Sequence, residues 1–162
     1  AQGRIVILCT NALLLEKRIE GYQPHPRFIW DIHLDGDRAQ HDWAVSQEGV
    51  YDRAVAALKL ARDKGFRTAI NCTLFNNADP ERTARFFDDV TAMGVDNIML
   101  SPGYAYERAP DQKHFLNRQA TKTLFRDLFR RNTAKTKWRM GNSPLFLDFL
   151  AGNQSYACTP WG

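Results

Sequence analysis

Asp31, His33 and Asp35 alternate within the segment Phe28-Ile29-Trp30-Asp31-Ile32-His33-Leu34-Asp35-Gly36. In a strand, alternate side chains share a face. The three titratable groups therefore point one way, and Trp30, Ile32 and Leu34 the other. Buried charge is costly unless it is paired or used, so this face needs partners or a task. Gly36 allows a sharp turn into Asp37-Arg38-Ala39-Gln40-His41-Asp42. His33 with Asp35 suits ribose hydroxyls or a metal ion. The structural alternative is a helix cap and loop network with Arg38 and His41.

Three further segments end in polar residues with the same spacing: Cys9 with Asn11, Asn71 with Thr73, and Ser101. Asn71 and Thr73 can hydrogen-bond a nucleotide or close a strand-end turn. Cys9 can face a substrate, or it can be the small core residue that an apolar-flanked Cys often is. Cys72 alternates to the opposite face and reads as core. The sequence contains no phosphate-cradling Gly-rich loop and no nucleophile elbow.

These residues must be positioned by elements. Ile5–Cys9 is a short β-branched run and predicts a buried parallel strand. A helix over Ala12–Glu20 follows, then a second strand over Arg27–Leu34. Ser46 is a candidate cap for a helix running to Lys64, with Ala54, Val55, Leu58 and Ala61 at helical spacing. A third strand spans Arg67–Thr73. Asp79-Pro80-Glu81 is a strong helix start, and Phe86, Phe87, Val90 and Met93 form the stripe of that helix. Asn97–Ser101 is the fourth strand, and a helix covers Asn117–Arg131. Strands alternating with helices predict βαβ units and a parallel sheet. Function in such sheets collects at the carboxyl ends of the strands, where the three polar pairs and Ser101 lie. Beyond Lys135 the pattern changes, so we assign 1–135 to the α/β body and 136–162 to the start of an extension.

The 162 residues suffice for one domain with a core, and no apolar run is long enough to span a membrane. The chain opens without an initiator Met, which we read as a processed or truncated chain. Cys9, Cys72 and Cys158 are odd in number and widely spaced, which fits a reducing, cytoplasmic setting better than a disulfide framework. The net charge of +4 is uneven, with nine Lys/Arg and one acid between Lys113 and Arg139. That segment can face water, nucleic acid or an anionic membrane surface.

Leu8-Cys9-Thr10-Asn11-Ala12, His33-Leu34-Asp35-Gly36, Asn71-Cys72-Thr73-Leu74, Ser101-Pro102-Gly103-Tyr104-Ala105-Tyr106-Glu107 and the tail 146–154 resemble the radical S-adenosylmethionine (SAM) superfamily. Within it they are similar to the proteins of hopanoid lipid biosynthesis that make adenosylhopane. The resemblance implies an α/β fold, a partial (β/α)6 TIM-type barrel containing strands three to six, followed by the start of a C-terminal extension. It implies that His33 and Asp35 hold the ribose of SAM, that Asn71 and Thr73 adjoin them, and that Asn11 and Ser101 line the same site. The superfamily's cysteine loop for a 4Fe–4S cluster and its Gly-Gly-Glu segment have no counterpart here. The resemblance therefore implies an internal fragment, with the cluster ligands outside this chain.

The implied reaction is addition of a 5′-deoxyadenosyl radical to the alkene of diploptene. An electron donor such as flavodoxin or ferredoxin is implied with it. A thiol is a good hydrogen-atom donor, and Cys9 is the cysteine expected on the inner face, so we assign it hydrogen-atom delivery. The insoluble substrate gives the basic segment 113–139 a second role in peripheral contact with the inner membrane face. No nucleic acid is expected. Two other classes stay open. One is a metal-dependent hydrolase using His33, Asp35, Asp37, His41 and Asp42 as zinc or manganese ligands. The other is a non-catalytic nucleic-acid module using the basic helix and nearby aromatics.

Overall fold

The structure is a computed structural model, and it describes residues 3–105, 108, 112–132 and 137–153. Four strands, β1 (Val6–Thr10), β2 (Phe28–His33), β3 (Arg67–Leu74) and β4 (Asn97–Pro102), form one sheet in the order β1-β2-β3-β4. Every pairing is parallel. The connections carry α1 (Leu15–Arg18) with a 3₁₀ turn (Ile19–Gly21), then α2 (Arg38–Ala44) and α3 (Val50–Asp63), then α4 (Pro80–Ala92). After β4 come α5 (Arg118–Arg131) and α6 (Pro144–Leu150). The expected α/β architecture, a parallel sheet of the TIM-barrel kind, is the one found.

The helices cover one side of the sheet. Trp30, Ile32, Leu34, Ile70, Cys72, Leu74, Ile98 and Leu100 point into that layer and are buried with Leu58, Phe86, Phe87 and Val90. The other side carries Cys9, Asp31, His33, Asn71, Thr73 and Ser101. Their registers, Cys9 with Asp31, His33 with Asn71 and Thr73 with Ser101, put them on one inner face.

The two sheet edges differ. β1, expected to be buried, has β2 as its one neighbour among the described residues, and Ile5, Val6 and Ile7 are 62%, 51% and 47% exposed. At β4 the chain closes the edge itself. Ile98 N donates to Arg139 O and Gly141 N to Ile98 O, both at 2.8 Å. The Asn142 side chain then pairs with Leu100 as a strand would: Leu100 N donates to Oδ1 at 2.7 Å, and Nδ2 donates to Leu100 O at 3.0 Å. Residues 137–153, assigned from sequence to the start of an extension, pack on this edge. Trp138 and Leu150 are fully buried in the same core as the sheet.

The helix after β2 also differs from expectation. Ser46 does not cap it. A short α2 ends at Ala44, and α3 begins after Gly49, whose φ of 79° lies in the left-handed region that favours glycine. The helix after β1 shortens to α1 and the 3₁₀ turn. The α4 start holds as read, with Pro80 in its first turn and Asp79 accepting from Arg82 N at 2.7 Å.

Candidate functional site

The carboxyl end of β2 supplies the centre of the site. His33 Nε2 and Asp35 Oδ2 lie 2.8 Å apart, with Asp35 buried and His33 about a third exposed. Thr73 N donates to the other oxygen, Asp35 Oδ1, at 2.8 Å. Asp35 N in turn donates to His41 Nδ1 at 3.1 Å. Asp35 thus ties the ends of β2 and β3 together and presents His33 to the inner face. The hydrogen bond to Asp35 raises the His33 imidazole above its usual range, against desolvation. His41 is buried, which lowers it, and its Nε2 has no hydrogen-bond partner among the described residues. The backbone bond at Nδ1 leaves the proton on Nε2.

One row toward β1 lies a second group. Cys9 Sγ donates to Asp31 Oδ2 at 3.3 Å, with Cys9 exposed and Asp31 fully buried. Partial burial raises the Cys9 thiol, Asp31 beside it raises it further, and the Asn71 amide opposes them. Burial raises the Asp31 carboxyl, against the lowering effects of Cys9, Asn71 and His33. Asn71, in register with His33 on the same face, is the amide that acts on both groups.

Of the seven residues singled out from sequence, Cys9, His33, Asp35, Asn71, Thr73 and Ser101 share the inner face. Thr73 contributes its backbone amide to Asp35. Asn11 lies just past β1 and is exposed, but its side-chain oxygen accepts from Leu13 N at 3.2 Å in a local turn. Cys72 is fully buried on the helix side, as expected.

The loop carboxylates do not join this group. Asp37 caps α2, accepting from Gln40 N at 3.1 Å, and pairs with Arg82. That guanidinium lowers its carboxyl. Asp42 accepts from Gly49 N at 2.7 Å and Tyr51 N at 2.8 Å and so caps α3. Among the described residues no three His, Cys, Asp or Glu side chains could hold a metal ion. The hydrolase reading required such a set, and its carboxylates are used by helix ends instead. Cys9 and Cys72 face opposite sides of the sheet and do not form an iron–sulfur ligand pair. Cys158, Tyr106 and Glu107 lie outside the described residues.

Much of the basic segment is engaged. Arg126 donates to Ala151 O at 2.6 Å and Asn153 Oδ1 at 2.9 Å, closing the end of α6. Arg131 bonds Asp127, and Lys137 bonds Asp88 at 3.0 Å. Among the described residues no helix is long and apolar enough to cross a membrane.

A feature that the sequence reading missed adjoins the strand ends. Trp43, Ala44, Ser46, Phe75, His114 and Phe115 line a cleft of about 270 Å³ beyond β3. Trp43 is 43% exposed, and its ring lies 6.2 Å from Phe75 and 5.1 Å from His114. Three chain segments build this cleft, so no local pattern announces it. A second concavity, about 920 Å³, lies between the loop after β3 and α5 and contains none of the seven candidates.

Residues 98–162 match the family model described as "Domain of unknown function (DUF3463)". No curated protein matches the chain. Among solved structures, the chain is similar to anSMEcpe with bound AdoMet at 13% identity and a TM-score of 0.63, over 94% of this chain and 44% of that one. The complex of anSMEcpe with AdoMet and the Kp18Cys peptide gives the same values. TYW1 with a lysine-pyruvate adduct bound is similar at 19% identity and a TM-score of 0.51, over 78% of this chain and 40% of that one. The chain thus spans less than half the length of these proteins. Both are radical SAM enzymes, and at these identities the likeness is one of fold.

Proposed function

We propose that the chain forms the SAM-facing part of a radical SAM barrel and that the intact protein is a radical SAM enzyme. The observation that carries this reading is the polar row His33, Asp35, Asn71, Thr73 and Ser101 at the carboxyl ends of parallel strands, in a fold shared with radical SAM enzymes. A buried carboxylate beside an imidazole that is about a third exposed offers polar groups to neighbouring hydroxyls, as a ribose requires. Asn71 and Ser101 supply further polar groups, and Asn11 stands at the rim.

Once bound and cleaved, SAM supplies a 5′-deoxyadenosyl radical. This chain would bind and orient the nucleoside, and Cys9 would give a hydrogen atom to a carbon radical on the inner face. The described residues provide no cluster ligands, so in this reading the 4Fe–4S cluster belongs to the protein outside this chain. A one-electron donor of the flavodoxin or ferredoxin class is its natural partner. The finer reading is adenosyl addition to the alkene of diploptene in hopanoid lipid biosynthesis. The aromatic side chains of Trp43, Phe75 and Phe115, which share their cleft with Ser46 and His114, support a substrate with a hydrocarbon part. Contact with a lipid surface would fall to the basic residues that the fold does not use; Arg126 and Arg131 are engaged within it.

The test is anaerobic purification of the intact protein. We expect iron and sulfide in 4Fe–4S proportion, release of 5′-deoxyadenosine from SAM with a reductant, and an adenosylated product from diploptene. Zinc or manganese without iron, and no deoxyadenosine, would overturn the radical reading. Deoxyadenosine without a diploptene product would overturn the finer one. Cys9→Ala should divert the radical to side products, and an unchanged rate of clean product would remove its role.

A further inference from the structure

Asp31 lies at the centre of the inner face, and the reading above gives it no task. It is fully buried, while Cys9 beside it is exposed. The β1–β2 register pairs it with Cys9, its Oδ2 accepts from Sγ at 3.3 Å, and Oδ1 has no hydrogen-bond partner among the described residues. No ion pair is seen at Asp31 among the described residues. The groups around it are Cys9 from β1, His33 from its own strand, and the neutral Ala69 and Asn71 from β3. His33 itself is bonded to Asp35. A carboxylate so enclosed is costly, whereas a carboxylic acid is far less so.

We propose that Asp31 is the proton partner of Cys9: its enclosed carboxyl keeps the sulfur in the thiol form and resupplies the proton each time the S–H bond is consumed. Burial, the first cause acting on Asp31, favours the protonated acid. The hydrogen-atom step rests on the radical reading above. When Cys9 donates, its S–H bond breaks, a C–H bond forms on the substrate, and a thiyl radical remains. One electron from a flavodoxin- or ferredoxin-class donor converts the thiyl to a thiolate. The O–H bond of Asp31 then breaks as S–H re-forms, and the carboxylate takes a proton from water. Asp31 is a positioning residue in this scheme, because Cys9 alone meets the substrate.

The first experiment follows Cys9 alkylation by iodoacetamide against pH, by mass spectrometry of the full-length protein. Wild type should reach its midpoint above the ordinary thiol value of about 8.5. Asp31→Asn should lower the midpoint, because Asp31 is ionised and repels the thiolate by the pH at which the thiol titrates, whereas at neutral pH, where Asp31 is a neutral acid, the two proteins should alkylate at similar rates. Asp31→Glu should restore the wild-type profile. Superimposed profiles for wild type and Asp31→Asn would overturn the proposal. Infrared spectroscopy of the wild type guards against a variant that fails to fold. A carboxylic-acid carbonyl band at neutral pH should shift in Cys9→Ala, and the absence of such a band would overturn the proposal. Neither readout requires SAM cleavage, so each can fail independently of the radical reading. In turnover, Asp31→Asn should form its first equivalent of product and then slow by about tenfold. Equal slowing of both phases would overturn the resupply step.

Discussion

Asp31 and Asp35 stand four residues apart on one face of the same segment, both buried, in opposite circumstances. Asp35 accepts a backbone amide on one oxygen and meets an imidazole on the other. Asp31 shares a thiol on one oxygen and has no hydrogen-bond partner on the other among the described residues. The difference divides the inner face into two regions. At Asp35 both carboxylate oxygens are engaged and hold geometry, which suits a binding end. Around Asp31 a proton is held between a carboxyl and a sulfur, which suits a reactive end. A carboxylate that is fully bonded fixes structure, and one that is half bonded is available for chemistry.

The largest expected effect breaks the first region. Asp35→Ala leaves Thr73 N without its acceptor and His33 without its partner. We expect a loss of about 2–3 kcal/mol in urea unfolding, below the full cost of a buried pair because His33 is partly exposed. A loss under half a kcal/mol would mean that Asp35 does not tie β2 to β3. The adjacent loop separates structural from functional carboxylates. Asp37→Ala removes the α2 cap and should cost about 1 kcal/mol. Metal content should not change in this variant; metal lost with Asp37 would revive the hydrolase.

Much of this arrangement was legible in the sequence, and the misses share one cause. The strands, the alternation that puts Cys9, His33, Asn71 and Ser101 on one face, and the Asp79-Pro80 start of α4 rest on neighbouring residues. Ser46 failed as a cap because Asp42, seven to nine residues upstream of Gly49 and Tyr51, reaches back to cap α3. The closure of β4 was hidden because the Asn142 amide pairs with Leu100, 42 residues away. Asp31 was visible as a face residue, but its burial depends on strands to either side of it. The cleft at Trp43 needs three segments to converge. Local chemistry fixes which element forms, while burial and partner choice are set across the sheet.

The two histidines sharpen the comparison through pH. Their rings lie 5.8 Å apart, yet they shift in opposite senses. His33 is raised, so its contribution is full below the unfolded value of about 6.5 and is lost as pH rises through the folded value. His41 is lowered, so stability is lost as pH falls from about 6.5 through its folded value. His33→Asn should therefore flatten the alkaline side of the stability profile and leave the acid side in place. Loss of both sides together would mean that the histidines titrate as one unit.

The smallest expected effect lies at Asp31 and carries the opposite sign to that at Asp35. The folded carboxyl is raised, so wild type pays nothing at low pH, where both states are protonated. It loses stability as pH rises from the unfolded value of about 3.9 through the folded one. Asp31→Asn has nearly the same shape and cannot ionise. Near pH 4 it should lie within about 1 kcal/mol of wild type, since one bond to sulfur is exchanged for another. As pH rises the difference should move steadily in the variant's favour, and urea midpoints at several pH values would show it. A variant that instead lost ground with rising pH would mean that Asp31 is ionised and held by a cation. The two aspartates would then be two copies of the same structural device.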